Sequence, residues 1–470
     1  MVVSVTDSAF NPRDDAGIFD SLLSAEPPFD QRLVFDTACV LGGSIAGLFA
    51  ARVLSDFARH VVIIEHDELH DRASRPGVPQ GDQLHVLLAA GAQWLDRWLP
   101  GFTEEALANG AIRITSEAQT LDGNSMAPST REYEMLSATR PLLESVVRTT
   151  VLSRANTSVK YARATGLRYR DGAVTAVEFV DSAGTALLAV DFVVDAMGRA
   201  SRISKWVSNA GFDQPRLDRV ALPINYATAI FDSSEASADL HVNAMMSIFS
   251  PGHTVDGVAI ASAAKVENDQ WMVCLIGCGP DRPGQTPDDF RATCTHLESS
   301  FATVAAGQAS RDVTTFHQME SRRRNFTDLS NFPARLVSVG DAVASFNPVY
   351  GQGMSSAALH ASCLSSYLSG AGEFDSVAKD FFALQHVVVD AARDVSTAGD
   401  RARLDFLNGV PLPESTRGQR WAQDQITQAT FIDSKIADLY TDVRLMMRHP
   451  SALDDPAVLR RAVAVNGAAS

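Results

Sequence analysis

Residues 35–65 read FDTACVLGGSIAGLFAARVLSDFARHVVIIE, and the parsing of this stretch decides the fold. FDTACVL (35–41) is a short apolar run with β-branched content. GGSIAG (42–47) is a turn of small residues. LFAARVLSDFARH (48–60) sets Leu48, Ala51, Val53, Leu54 and Phe57 at helical spacing, and VVIIE (61–65) reads as a buried strand ending on an acid. Strand, tight turn, helix and strand predict a β-α-β unit about thirty residues long. A dinucleotide site needs a tight turn, a small residue where the pyrophosphate approaches, and a small residue where helix meets strand. Gly42 and Gly47 fill the outer slots. Ser44 takes the middle one, where Gly is usual, and its hydroxyl and N–H suit a phosphate oxygen at the helix N-terminus, with Ile45 and Ala46 of the same turn as further cofactor-binding residues. Glu65 is placed to accept from ribose hydroxyls. The competing reading is a ligand-free turn; the flanking strand, the helix and the distant acid favour a dinucleotide.

The rest of the composition narrows the class. The chain has 470 residues, too many for one ordinary core, with 46% hydrophobic and 20% charged residues. Its formal net charge of −16 argues against a nucleic-acid or anionic-membrane binder. Five scattered cysteines, with only the pair Cys274 and Cys278 close in sequence, read as reduced thiols of a cytoplasmic protein, with neither a disulfide framework nor a metal site. The first twenty residues lack the pattern of a signal peptide, and no apolar run reaches membrane-spanning length.

Two further motifs lie downstream. DFVVDAMGRAS (191–201) is a strand ending on Asp195, then a glycine turn and Ser201. VGDAVASFNPVYGQGMSSAA (339–358) places Asp341 after an apolar strand, stiffens a loop with Pro348, and brackets Gln352 with Gly351 and Gly353 before a run of small residues. Asp341 can accept from a ribityl chain, the glycines admit a flat ring, and the N–H groups at Gly353, Met354 and Ser355 would stabilise negative charge on its pyrimidine edge. An isoalloxazine fits these demands; an ordinary loop-to-helix entry is the alternative. Between the motifs, INYATAIF, NAMMSIFS, VAIASAAKV and QWMVCLIG read as strands of an antiparallel sheet with one face on a cavity. Residues 86–112 and 139–152 read as helical, Asp171-Gly172 as a hairpin turn, and the chain from 375 onward as helices broken at GVPLPEST. The expected fold is α/β (α+β): a Rossmann-type domain, an inserted antiparallel-sheet substrate domain and a C-terminal helical region. The expected boundaries are an N-terminal extension (1–34), two cofactor-binding segments (35–205, with substrate-domain insertions, and 326–372), a substrate domain (206–325) and the helical region (373–470).

With the motifs in this order, the chain resembles the FAD-dependent monooxygenases with the p-hydroxybenzoate-hydroxylase-type fold. RPGVPQGDQLH, ATRPLLESVVR, NYATAIF, ENDQWMV and GDAVASFNPVYGQGMSSAA look like the flavin epoxidases of polyether pathways, of monensin and lasalocid type; the resemblance spans roughly residues 38–365. It implies that Gly42, Ser44 and Gly47 meet the FAD pyrophosphate and Glu65 the adenosine ribose. Arg75 and Arg140 would lie near the cofactor, Asp341 at the ribityl chain, and Gly353 and Met354 at the ring. His66 stands where the family often has Arg, so that adenosine contact is in question. Met197 before Gly198 departs from the Asp-Gly of self-sufficient hydroxylases, so NAD(P)H would supply electrons directly or through a separate flavin reductase. The chemistry implied is oxygen transfer from O2 through a C4a-hydroperoxyflavin, with no protein nucleophile. Tyr226, Met246, Phe249, Trp271 and Phe346 are the candidate lining of a roomy apolar substrate pocket. Epoxidation of an alkene in a polyketide- or terpenoid-like natural product leads. Aromatic hydroxylation and saturation of a C=C bond by a flavin reductase stay open. A halogenase is disfavoured: no WxWxIP-type segment occurs and no Lys precedes Lys160.

Overall fold

The computed structural model describes residues 12–68, 74–115, 117–127, 129–370 and 374–469. The first eleven residues of the expected extension, residues 69–73 of the polar loop and residues 371–373 at an expected boundary lie outside that set.

The opening stretch forms strand Phe35–Leu41, helix Ile45–Leu54 and strand Ala58–Glu65. The helix stops earlier than its apolar spacing suggests. Ser55 turns its hydroxyl back onto the Arg52 carbonyl at 2.6 Å, and Arg52 pairs with Asp56 at 2.6 Å. The last turn is thereby closed, and Ala58–His60 is released to the strand. The two strands sit in a five-stranded parallel sheet, in the order Leu336–Ser338, Phe192–Asp195, Phe35–Leu41, Ala58–Glu65, Thr157–Tyr161. Covered on both faces, such strands are apolar throughout, and Ala38 to Leu41 are fully buried. Helix Gly353–Ser369 packs on helix Ile45–Leu54, and helix Ala89–Trp98 covers both with stacked Trp94 and Trp98. Helix Pro12–Leu23 buries Phe19 and Leu22 against this core, so part of the N-terminal extension is structural.

A mixed seven-stranded sheet forms the second layer. Its order is Thr314–Gln318, Ile224–Asp232, Gln270–Cys278, Ile260–Val266, Ala244–Ile248, Ala118–Leu121, Asn124–Ser125. The strand at 118–121 runs parallel to Ala244–Ile248. It lies far upstream of the rest of the sheet, in a polar stretch (AQTLDGNS) that gives little strand signal. Residues 86–112, read as one helical region, split into strand Val86–Leu87 and helices Ala89–Trp98 and Phe102–Ala108. Pro100-Gly101 separates the two helices, with Gly101 in the left-handed region. The Asp171-Gly172 hairpin appears as expected, with both residues at positive φ. Helices Lys379–Leu407, Glu414–Ala429, Ser434–Arg444 and Pro456–Ala469 complete the chain.

Candidate cofactor and substrate site

The glycine-rich turn owes its shape to close backbone approach. A Cβ on Gly47 would lie 1.8 Å from the Gly42 carbonyl oxygen, and one on Gly42 (φ +108°) would lie 2.5 Å from the Ala196 carbonyl oxygen. These contacts hold the first strand, the helix and the second motif at distances that no side chain permits. Ile45 is buried beneath the turn, while Ala46 meets Gly340, whose notional Cβ falls 2.5 Å from the Ala46 methyl. The first and third motifs therefore touch.

Charged side chains gather above the turn. Glu65 accepts from the N–H groups of Gly43 (2.7 Å), His66 (2.7 Å) and Asp67 (2.9 Å) and pairs with Arg75 at 3.3 Å. Much of its accepting capacity is thus spent on backbone, which stiffens the expected ribose site. His66 is half-exposed, its ring nitrogens 3.1 Å from Glu65 and 3.2 Å from Asp67. The Ser44 hydroxyl does not cap its own helix. It donates to Glu144 at 2.7 Å and accepts from Arg140 Nη2 at 3.1 Å. Glu144 is the hub, pairing with Arg75 (2.5 Å), Arg140 (3.5 Å) and Arg148 (3.6 Å). The sequence reading missed it. Its only signal is the i, i+4 spacing to Arg140 and Arg148 on helix Arg140–Leu152. That helix begins where the Thr139 N–H donates to Glu267 at 2.9 Å, a clasp to the seven-stranded sheet.

The third motif completes the cradle. Asp341 follows strand Leu336–Ser338 in a short 3-10 turn, with Gly198 of the second motif beside it. Burial raises its carboxyl above the usual carboxylate range, against the pull of Arg199 and Arg140. Asp195 is closed to a ligand: Met197 N–H (3.1 Å), Ser201 (2.6 Å) and Ser338 (3.1 Å) all donate to it. Pro348 opens a 3-10 turn ending on Gly351 in the left-handed region, and Gln352 precedes the 17-residue helix Gly353–Ser369. A Cβ on Gly353 would meet nothing within 4 Å and the residue is exposed, so there is open space beside the first residue of the helix. The Met354 side chain points into the main core, leaving its amide as the group able to meet a ring.

These residues fit FAD. Among the described residues, the buried Arg75 Nη1 and Nη2 and Arg140 Nε have ion pairs but no hydrogen-bond acceptor, and the buried Gln352 amide has no partner at either end. Arginines with N–H groups to spare match a pyrophosphate, and an open helix N-terminus matches an electron-rich ring edge.

The seven-stranded sheet separates the expected pocket residues by parity. Trp271 and Phe249 lie on the face packed against helices Pro287–His296 and Ser299–Ala305, within a core that includes Phe290 and Phe301. Tyr226 and Met246 lie on the opposite face with Ile260, Cys274 and Ile276, toward Leu84 and Val349. Phe346 is half-buried against the main core, its carbonyl accepting from Gln318 at 2.9 Å. On the Tyr226 face the polar groups are few. The Thr228 hydroxyl donates to Gln83 at 2.6 Å, and the Tyr226 hydroxyl donates to Asn347 at 3.0 Å. His85 Nδ1 donates to the Gln83 carbonyl at 2.8 Å; burial, with Arg140 nearby, pushes its imidazole down to about 4.

Comparison with known proteins agrees with this geometry. The chain belongs to the family described as "FAD binding domain", which matches residues 36–371. Protein Rv3254 of Mycobacterium tuberculosis (strain ATCC 25618 / H37Rv) is 32% identical over 358 residues, 69% of this chain and 71% of that protein. Among solved structures, the flavin-dependent brominase Bmp2 superposes with a TM-score of 0.64 at 13% identity, over 93% of this chain and 100% of that one. The p-nitrophenol 4-monooxygenase PnpA from Pseudomonas putida DLL-E4 gives 0.58 at 17%, over 90% and 98%. PqsL from Pseudomonas aeruginosa, a probable FAD-dependent monooxygenase, gives 0.58 at 16%, over 80% and 99%. At these identities the structures share the fold. Among the described residues no helix is long and apolar enough to cross a membrane.

Proposed function

We propose that this chain is an FAD-dependent monooxygenase that oxygenates an apolar small molecule, with epoxidation of an alkene in a polyketide- or terpenoid-like product as the leading reaction. One observation carries the reading. The open helix N-terminus at Gly353 belongs to the same loop whose Val349 packs against the Tyr226 and Met246 face of the sheet, so a ring seated at the first would lie close to an apolar wall.

Bound and reduced, FAD supplies the redox chemistry that lets O2 deliver one oxygen atom to an electron-rich carbon. The protein's residues bind, orient and exclude water. Arg75 and Arg140 neutralise the pyrophosphate, Asp341 accepts from the ribityl hydroxyls, and the N–H groups from Gly353 onward stabilise negative charge on the pyrimidine edge. Ile230, Met246, Ile260 and Met272 give the sheet face an oily surface. No protein nucleophile is required. The Cys274 thiol, pushed up to about 12 by burial, stays protonated, and His85 stays neutral above about pH 5. Electrons come from NAD(P)H, directly or through a separate flavin reductase.

The test is stopped-flow absorbance on the FAD-loaded protein, reduced chemically and mixed with oxygenated buffer, with and without a panel of apolar alkenes and phenols. A transient distinct from both reduced and oxidised flavin, with one 18O atom from 18O2 in the product, supports the reading. An epoxide from an alkene or a dihydroxybenzene from a phenol then separates epoxidation from hydroxylation. Direct return to oxidised flavin under every condition, with no 18O in any product, would sink it and favour a reductase.

A further inference from the structure

One hydrogen-bonded chain ties the flavin-contact loop to two other elements, and no step above uses it. Asn347 is 5% exposed and committed at both ends of its amide. Its Oδ1 accepts from the Tyr226 hydroxyl at 3.0 Å and from the Val349 N–H at 3.1 Å. Its Nδ2 donates to Asp400 Oδ1 at 2.8 Å. Val349 lies in the 3-10 turn that sets the direction of Gly351, Gln352 and Gly353. Tyr226 stands on an interior strand of the sheet face, and Asp400 lies within the 29-residue helix Lys379–Leu407. The same helix is approached closely beside this contact. The Tyr350 hydroxyl donates to Asp400 at 3.5 Å, and a Cβ on Gly399 would lie 2.2 Å from that hydroxyl.

Asp400 is 3% exposed, and a buried carboxylate is costly unless its hydrogen bonds are needed. Among the described residues, the charged and titratable groups facing it or its partners are Arg403 on its own helix, Tyr350 on the loop, Tyr226, Cys274 and Cys278 on the sheet with Asp281 beyond Cys278, and Tyr440 on helix Ser434–Arg444. Arg403 is the one cation among them, and its guanidinium also donates to the Phe249 carbonyl at 2.6 Å. Asp400 therefore sits where its protonation alters the acceptor offered to Asn347 and Tyr350, and with it the hold on the loop.

We infer that Asp400 is a positioning residue: through Asn347 its carboxylate sets how the Pro348–Gly353 backbone meets the flavin ring, and its protonation loosens that hold. The inference rests on the placement of the ring at this loop in the proposed function; it does not require oxygenation. Burial, countered by Asn347, Arg403 and Tyr350, pushes the Asp400 carboxyl up to about 6, so the transition falls in an accessible range.

The experiment uses the full chain loaded with FAD and reads the visible flavin absorbance and the flavin midpoint potential from pH 5 to pH 8. The parent protein is expected to show a reversible change in both with a midpoint near 6. Asp400→Asn keeps an acceptor for Asn347 but cannot ionise. It should retain stoichiometric FAD, show the parent's low-pH spectrum at every pH and lose the transition, whereas Asp400→Ala, which offers Asn347 no acceptor, should shift the flavin band beyond the parent's range at every pH. Gly353→Val serves as a reporter, since it fills the open space before the helix and should perturb the band. An Asp400→Asn protein that keeps the parent's transition, or an Asp400→Ala protein with the parent's spectrum throughout, overturns the inference while a responding Gly353→Val leaves the ring placement standing. A silent Gly353→Val with FAD still bound overturns the placement and the inference together.

Discussion

Glu144 offers the most direct test of the cofactor cradle. It is 4% exposed and pairs with Arg75, Arg140 and Arg148, all buried, so Glu144→Gln leaves the arginines short of one negative charge at almost unchanged shape. Breaking a buried ion pair from one side costs about 3–5 kcal/mol. At about 2.1 cal/mol/K per residue, cooperative unfolding of a 470-residue chain has an entropy of about 1 kcal/mol/K, so the apo protein should lose about 3–5 °C in Tm. FAD should offset part of that loss. If its pyrophosphate lies against Arg75 and Arg140, it restores the missing negative charge, and FAD should stabilise the variant more than the parent. The assay is thermal denaturation of apo and FAD-saturated forms of both proteins. The gap in Tm is expected to narrow on adding FAD. A gap that stays constant or widens would refute the assignment of these arginines to the pyrophosphate.

Four further outcomes are expected. Gly47→Ala forces a methyl to within 1.8 Å of the Gly42 carbonyl oxygen and should abolish stoichiometric FAD binding, measured as the flavin-to-protein ratio after gel filtration. Asp341→Ala should weaken FAD binding about tenfold or more, the cost of a lost hydrogen bond to a charged group being about 1.5–3 kcal/mol; unchanged affinity by fluorescence titration would mean that the ribityl chain lies elsewhere. Because the folded Asp400 carboxyl is raised from its ordinary 3.8 to about 6, the native state binds the extra proton, and stability falls as pH climbs through that window. Asp400→Asn removes this dependence, so the variant's Tm should gain on the parent's by up to about 3 °C between pH 4 and pH 6.5 and hold level above. Finally, all five cysteines are buried, so a thiol reagent should react with the native protein only slowly and with all five on denaturation.

The sequence made some of this legible and left other parts dark for identifiable reasons. The unit from Phe35 to Glu65 is local: periodicity, a glycine-rich turn and a terminal acid lie within one short stretch, and the structure departs from it in where the helix lies, which begins at Ile45 inside the turn and is ended early by Ser55 and Asp56. Asp341 and the loop to Gly353 were legible for the same reason. Glu144 was hidden because its partners Ser44 and Arg75 come from distant segments that only the fold brings together. Asp400 was hidden more deeply, as one acid in a long helix with no motif around it. The pocket residues illustrate the limit set by register. Tyr226 pairs with Ile276, and Phe231 with Trp271, on the same two strands, so Tyr226 and Trp271 face opposite sides. Alternation fixes which residues of one strand share a face, but only pairing fixes which strands share it.

The two sheets are threaded through each other. The chain builds Phe35–Leu41 and Ala58–Glu65, leaves to supply Ala118–Leu121, returns for Thr157–Tyr161 and Phe192–Asp195, leaves again, and comes back with Leu336–Ser338. A growing polypeptide would therefore hold an unfinished sheet, its edge unpaired, through most of its synthesis. Long-range closure of this kind makes folding slow and intermediates sticky. Neither sheet could be excised as a working fragment. A heterologous host should yield soluble protein in proportion to how well its chaperones shelter the chain until residue 338 emerges, and cutting the chain at any of the crossings should strand both halves.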